Sequence, residues 1–255
     1  MKLFNKYGEA WHDGIKLSRH DKVINIDWSG DGELLAILQQ SKCSVMLWRE
    51  SSDNLSTIDL SSTQHATFLQ WIKCKSHPVL AIGTNSGTLF LYDATTGVTM
   101  PILGKHASCI TCGAWSDLNL LALGSDDCMI TISDKAGDTI HQIELPKAPL
   151  DVMFSLANKG DCYMLSINVN GEYLAIFNSD DKKLEEMSVQ NEFGCVVTHF
   201  WMDEITLVVG MEDGTVCVVH HNPNGITKQI CSRLFTANLA HMCLRGACKI
   251  AVAGE

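Results

Sequence analysis

Four tryptophans close short apolar segments at a nearly constant interval. The segments are Ile24-Asn25-Ile26-Asp27-Trp28, Phe68-Leu69-Gln70-Trp71, Ile110-Thr111-Cys112-Gly113-Ala114-Trp115 and Val197-Thr198-His199-Phe200-Trp201. The gaps between the tryptophans are 43, 44 and 86 residues, and the last is twice 43. A missing copy is therefore expected midway, and Leu150-Asp151-Val152-Met153-Phe154 stands there with Phe in place of Trp. A fixed period of this length signals a repeat architecture, in which each unit buries its apolar faces only against its neighbours.

Each unit divides further. A second apolar segment follows the tryptophan, as in Leu80-Ala81-Ile82-Gly83, Leu121-Ala122-Leu123-Gly124 and Leu207-Val208-Val209-Gly210. A polar turn leads to a third, such as Thr88-Leu89-Phe90-Leu91-Tyr92 or Thr215-Val216-Cys217-Val218-Val219. Weaker fourth segments include Val98–Leu103 and Thr139–Ile143. Four short strands rich in β-branched residues per ~43 residues, with Asn/Asp/Gly turns, make one blade of a β-propeller. No 3.6-residue apolar stripe persists long enough for a helix. The expected fold is all-β, a WD40-like β-propeller of about six blades, occupying residues 1–255 as a single domain.

Five complete blades begin near residues 23, 67, 109, 150 and 196. Two strands remain at each end: Leu239–Leu244 and Lys249–Gly254, and Met1–Lys6 and Trp11–Leu17. Pairing the two halves gives a sixth blade and removes unpaired edges. That closure is the expectation for the ends of the ring.

The blades resemble the WD-repeat family in degenerate form. Gly104-Lys105-His106 is similar to a stretched Gly-His pair, and Asp126 and Asp127 stand where that family has its structural Asp. The terminal Trp-Asp is missing: Tyr92-Asp93 and Ser133-Asp134 keep the Asp, and Trp48-Arg49 keeps the Trp. The structural positions implied are Trp28, Trp71, Gly104, His106, Trp115, Asp126, Asp127 and Trp201. A denser likeness runs through Pro101–His106, Ile110–Gly113, Asn119–Gly124, Met129–Ser133 and Gly137–Ile140. It resembles the N-terminal propeller of the WD-repeat-19 subunits of intraflagellar transport complex A, and Val23–Trp28 with Gly30-Asp31-Gly32 fits the same pattern.

That resemblance implies a non-catalytic scaffold in retrograde ciliary transport, cilium assembly and ciliary entry of membrane receptors. The implied partners are other complex A subunits and cargo adaptors for ciliary membrane proteins. The implied location is the cilium and its base, with cytoplasm and cytoskeleton. Full-length relatives continue into a second propeller and a helical array that this chain lacks, and Met1–Asn5 matches a third strand. A fragment, a truncated gene model or a short isoform fits that pattern. Two other readings stay open: an adaptor of another complex such as a vesicle coat, and a propeller enzyme.

Composition narrows the classes. Nineteen basic against 29 acidic residues give a net charge of −10, with no Lys/Arg run, so neither nucleic acid nor a membrane surface is an expected partner. No apolar run of ~18 residues is present for a membrane span. The 11 cysteines are irregularly spaced and read as reduced, largely buried thiols, with Cys112 and Cys217 shielded.

No cofactor is expected. His106, Cys109 and Cys112 have zinc-like spacing, but no second ligand pair follows, and in a strand 109 and 112 face opposite sides. His220-His221 beside Asn222-Pro223-Asn224-Gly225 reads as a surface strand end, and His199 and His241 as hydrogen-bonded histidines of first strands. Asp126-Asp127 and Asp180-Asp181 read as turn residues. Nucleophile-elbow and phosphate-loop motifs are absent. The starts of the first strands, Val23-Ile24, Thr67-Phe68, Cys109-Ile110, Leu150, Val196 and Leu239, are too apolar for a catalytic channel. Trp11-His12 and Met153-Phe154 are candidate contact patches, with inter-blade packing the competing explanation.

Overall fold

The computed structural model describes residues 22–254 except 41, 53, 61–62, 157–161, 188–192, 223–224, 235–238 and 246–248, with the backbone alone for 222, 225–229, 240–245 and 249–254. Twenty-two antiparallel strands follow one another in sequence order. Five four-stranded sheets form blades one to five, and a two-stranded sheet follows.

The innermost strands are β1 (Val23–Trp28), β5 (Ala66–Trp71), β9 (Ile110–Trp115), β13 (Pro149–Phe154), β17 (Val196–Trp201) and β21 (Leu239–Arg245). Four of them end on the repeating tryptophan and one on its Phe154 substitute. The second strands are β2 (Leu34–Gln39), β6 (Val79–Thr84), β10 (Leu121–Ser125), β14 (Met164–Val169), β18 (Thr206–Met211) and β22 (Lys249–Gly254). The third are β3 (Ser44–Arg49), β7 (Leu89–Asp93), β11 (Met129–Ser133), β15 (Tyr173–Asn178) and β19 (Thr215–Asn222). The outermost are β4 (Asn54–Asp59), β8 (Val98–Ile102), β12 (Thr139–Glu144), β16 (Lys183–Met187) and β20 (Gly225–Arg233).

The second strands of blades one to five are buried, Val79 at the start of β6 excepted, because both faces of a blade meet a neighbour. β2, β10, β14 and β18 contain only buried residues. The core is accordingly a series of seams. Leu34, Ala36, Leu38, Val45 and Leu47 of blade one meet Leu69, Trp71, Leu80 and Ile82 of blade two. Phe68, Leu89 and Leu91 meet Ile110, Trp115, Leu121 and Leu123 at the next seam. Leu174, Ile176 and Met187 meet Trp201, Leu207 and Val209 between blades four and five.

β21 and β22 form half a blade. The expected partner strands, Met1–Lys6 and Trp11–Leu17, lie outside the described residues, as do Trp11 and His12 as a contact patch.

Candidate interaction surface

The expected structural positions occupy two settings. Trp71, Trp115 and Trp201 are buried in seams. Trp28 is 38% exposed and meets Trp48 edge-on, ring centroids 5.8 Å apart. The residue before the tryptophan ties one blade to the next. Asp27 Oδ2 accepts the Trp71 N–H at 2.7 Å, and Gln70 Oε1 accepts the Trp115 N–H at 2.9 Å. Hydroxyl and amide groups extend these ties: Thr67 donates to Ile110 O at 2.6 Å, Thr111 to Pro149 O at 3.1 Å, and Asn168 to Val196 O at 3.0 Å. Sequence reasoning passed over these latches; the available signal was a polar residue directly before a strand-closing tryptophan.

Blade three joins His106 to Asp127. His106 Nδ1 lies 3.1 Å from Asp127 Oδ2, and Nε2 lies 3.0 Å from Thr131 Oγ1. Asp127 also accepts the N–H groups of Ala107 at 2.8 Å and Met129 at 3.0 Å. Burial pushes the His106 pKa down despite the Asp127 charge. The set fits a neutral ring that donates through Nδ1–H and accepts the Thr131 hydroxyl at Nε2. Burial opposes the Asp127 carboxylate, but the Ala107 N–H, His106 and the Met129 N–H outweigh it and lower its pKa. Asp126 is exposed, and its backbone N–H bonds Cys109 O. Gly104 turns the chain ahead of His106 with φ +66°. Lys105 is buried, its ammonium donating to Gly137 O at 2.8 Å and Thr139 Oγ1 at 2.7 Å.

The thiols follow a different pattern from the expected one. Cys217 and Cys231 form a disulfide, which corrects the reading of all cysteines as free. The physical reason is register: β19 and β20 place the two directly opposite, with Cα atoms 4.1 Å apart. Cys112 is buried and free, its pKa pushed up by burial. Cys109 and Cys112 do not converge with His106, which is engaged by Asp127 and Thr131. Among the described residues no group of three or more His, Cys, Asp or Glu could hold a metal ion.

His199 lies as expected for a hydrogen-bonded histidine of a first strand, whereas His221 lies deeper than a strand end suggests. His199 is fully buried, Nδ1 3.7 Å from Asp151 Oδ2 and Nε2 3.4 Å from Ser166 O. His221 was expected at the surface and is buried, Nε2 3.4 Å from Glu185 Oε2. β19 runs on to Asn222, so His221 stays within the sheet and faces the outer strand of blade four. The His241 side chain lies outside the described residues. Asp181 accepts the Lys183 N–H at 3.1 Å, ordinary turn chemistry. Met153 and Phe154 pack into the seams on either side of blade four.

The polar groups named above thus tie blades together or close turns within a blade, and the exposed surface is made of turns and outer strands. A model of the family described as "WDR19 first beta-propeller" matches residues 1–255. The chain belongs to that family. WD repeat-containing protein 19 of Mus musculus is 31% identical to it over 226 residues, 86% of this chain and 16% of the relative. WD repeat-containing protein dyf-2 of Caenorhabditis elegans is 24% identical over 221 residues, 84% of this chain and 16% of the relative. The chain therefore spans about a sixth of the length of these relatives. Among solved structures, U3-55K superposes with a TM-score of 0.63 at 13% identity, covering 83% of this chain and 70% of that one. That likeness shows the shared propeller fold. Family membership supports a WD-repeat scaffold.

Proposed function

We propose that the chain is a propeller module, a single unit over residues 1–255, of a non-catalytic scaffold in intraflagellar transport complex A. It acts in retrograde ciliary transport, cilium assembly and the ciliary entry of membrane receptors. The observation that carries this reading is the family match along the whole chain, with WD repeat-containing protein 19 and dyf-2 among the relatives. The engagement of His106 and Asp127 with each other and with Thr131 also supports a structural use of the most chemistry-like residues. The partners are other complex A subunits, with ciliary cargo adaptors as a second class, and the place of action is the cilium and its base.

The test is affinity purification of the tagged chain from ciliated cells, repeated with a longer version carrying the segments that follow in the relatives. Complex A subunits should co-purify. Recovery of vesicle-coat proteins without any ciliary transport subunit, from both versions, would overturn the reading.

A further inference from the structure

The repeat supplies an internal comparison at the rim. On each outermost strand, alternate residues face the next blade. The two outer positions of that set are Asn54 and Ser56 in β4, Val98 and Met100 in β8, Thr139 and His141 in β12, and Lys183 and Glu185 in β16. Among these four described seams, that between blades two and three alone carries two apolar residues there. At two of the other seams the next blade engages the rim residue: His141 stacks on Phe177 at 5.7 Å, and Glu185 meets His221. Val98 and Met100 instead stand 60% and 46% exposed.

They border a hollow of about 270 Å³ lined by Val79, Leu91, Asp93, Val98, Met100 and Lys135. A second hollow of about 410 Å³ shares Val79, Asp93 and Lys135 with it and reaches Ile72 and His77. Through these shared residues the two hollows adjoin as one groove, with Ile72, Val79, Leu91, Val98 and Met100 as its apolar lining. Among the described residues Lys135 has no ion-pair partner. Asp93 Oδ1 accepts the N–H groups of Thr95 at 2.8 Å and Thr96 at 3.4 Å. A cation therefore lines both hollows, within electrostatic reach of the Cys74 thiol, in a chain of net charge −10.

We propose that this groove docks an extended segment of a partner protein bearing two alternate apolar side chains and, two residues further on the same face, a carboxylate. The apolar side chains cover Val98 and Met100, which the hydrophobic effect favours, and the carboxylate pairs with Lys135. Alternate side chains of an extended segment share one face with a two-residue repeat, as Val98 and Met100 do. Strand addition to β8 is disfavoured, because Pro101 lacks the N–H an added strand would need. The segment thus binds through its side chains. This deepens the scaffold reading and rests on it only in taking the occupant to be a protein.

The test uses the purified chain and fluorescein-labelled heptapeptides with Leu, Met or Phe at the second and fourth positions and Asp, Glu, Ser or Lys at the sixth, which shares their face. Fluorescence polarisation should show saturable binding of the Asp and Glu peptides and weaker binding of the Lys peptides. Lys135→Glu should reverse that order, each preference shifting by about tenfold, since a rim charge sets selectivity. The double variant Val98→Thr, Met100→Gln should abolish binding of every peptide while leaving the melting temperature within about a degree of its value, because both side chains are exposed at the rim. No saturable binding by any peptide, or an unchanged Asp/Lys preference in Lys135→Glu, would overturn the proposal. Cilia play no part in this assay, so its failure leaves the transport reading to its own test.

Discussion

Asp27 Oδ2 on the innermost strand of blade one accepts the backbone N–H of Trp71 on the innermost strand of blade two at 2.7 Å. Burial raises the Asp27 pKa, opposed by the N–H groups of Trp71 and Trp28. The side chain thus crosses a seam to satisfy a main-chain donor. Removing it leaves that donor unpaired, at a cost of about 1–3 kcal/mol. Asp27→Ala should lower stability by that amount in urea denaturation, and Asp27→Asn, which keeps an acceptor oxygen, should recover most of the loss. Equal effects from the two variants would contradict the latch.

Acidification should weaken the fold from about pH 6.5, the ordinary histidine pKa, downward. Burial lowers the pKa of both His106 and His199, with Asp127 and Asp151 pulling the other way. Between the folded and unfolded values the unfolded chain binds more protons, so stability falls as the pH drops. Asp27, with its raised pKa, acts in the opposite sense: its contribution is full below about 3.8 and is lost as the pH rises through its folded value. The urea midpoint should therefore decline between pH 7.5 and 5.5, and His199→Gln should flatten the decline. A midpoint independent of pH over this range would exclude the histidine account.

The propeller was legible because its most regular feature is chemically loud. A large aromatic closes β1, β5, β9, β13 and β17 at one phase, since each sits where an innermost strand leaves the seam. Asp127 and His106 were legible as structural positions by likeness, and the geometry brings them together. Asp126 is adjacent in sequence but opposite in orientation, so no motif separates the two. The sequence around Val98 and Met100 marks a fourth strand but not their exposure, because exposure depends on how far the following blade reaches. His221 and the Cys217–Cys231 pair were hidden for a shared reason: both depend on the length and register of the β19–β20 hairpin, which local composition does not fix.

The disulfide should contribute measurably to stability. It joins residues 14 apart in sequence, and closing a loop of about 15 residues is worth about 3 kcal/mol in the chain-entropy account. Reduction, or the double variant Cys217→Ala, Cys231→Ala, should lower the melting temperature by several degrees. Alkylation under native non-reducing conditions should label Cys162 and Cys195, which are exposed, and spare Cys112. Labelling of Cys217 or Cys231 in unreduced protein would show the bond to be absent.

The turns between second and third strands allow a stabilising change. In blade two the turn ends on Gly87 at φ +78°, and in blade five on Gly214 at φ +86°. Blade three has Cys128 there, at φ +64°. A residue with a Cβ in this left-handed region loses roughly 1–2 kcal/mol that glycine does not. Cys128 is a free, half-buried thiol with no disulfide to hold it there. Cys128→Gly should therefore raise stability by about 1 kcal/mol. The reverse experiment belongs at Gly87, where an added Cβ would fall 2.1 Å from the carbonyl oxygen of His106, a backbone atom that also neighbours the blade-three pair. His106 N–H in turn bonds Gly87 O at 3.0 Å, so the turn and the connection cannot separate without losing that bond. Gly87→Ala should destabilise the chain by more than Cys128→Gly stabilises it, read as opposite shifts in the urea midpoint. A neutral Gly87→Ala would mean that blades two and three are free to part at this contact.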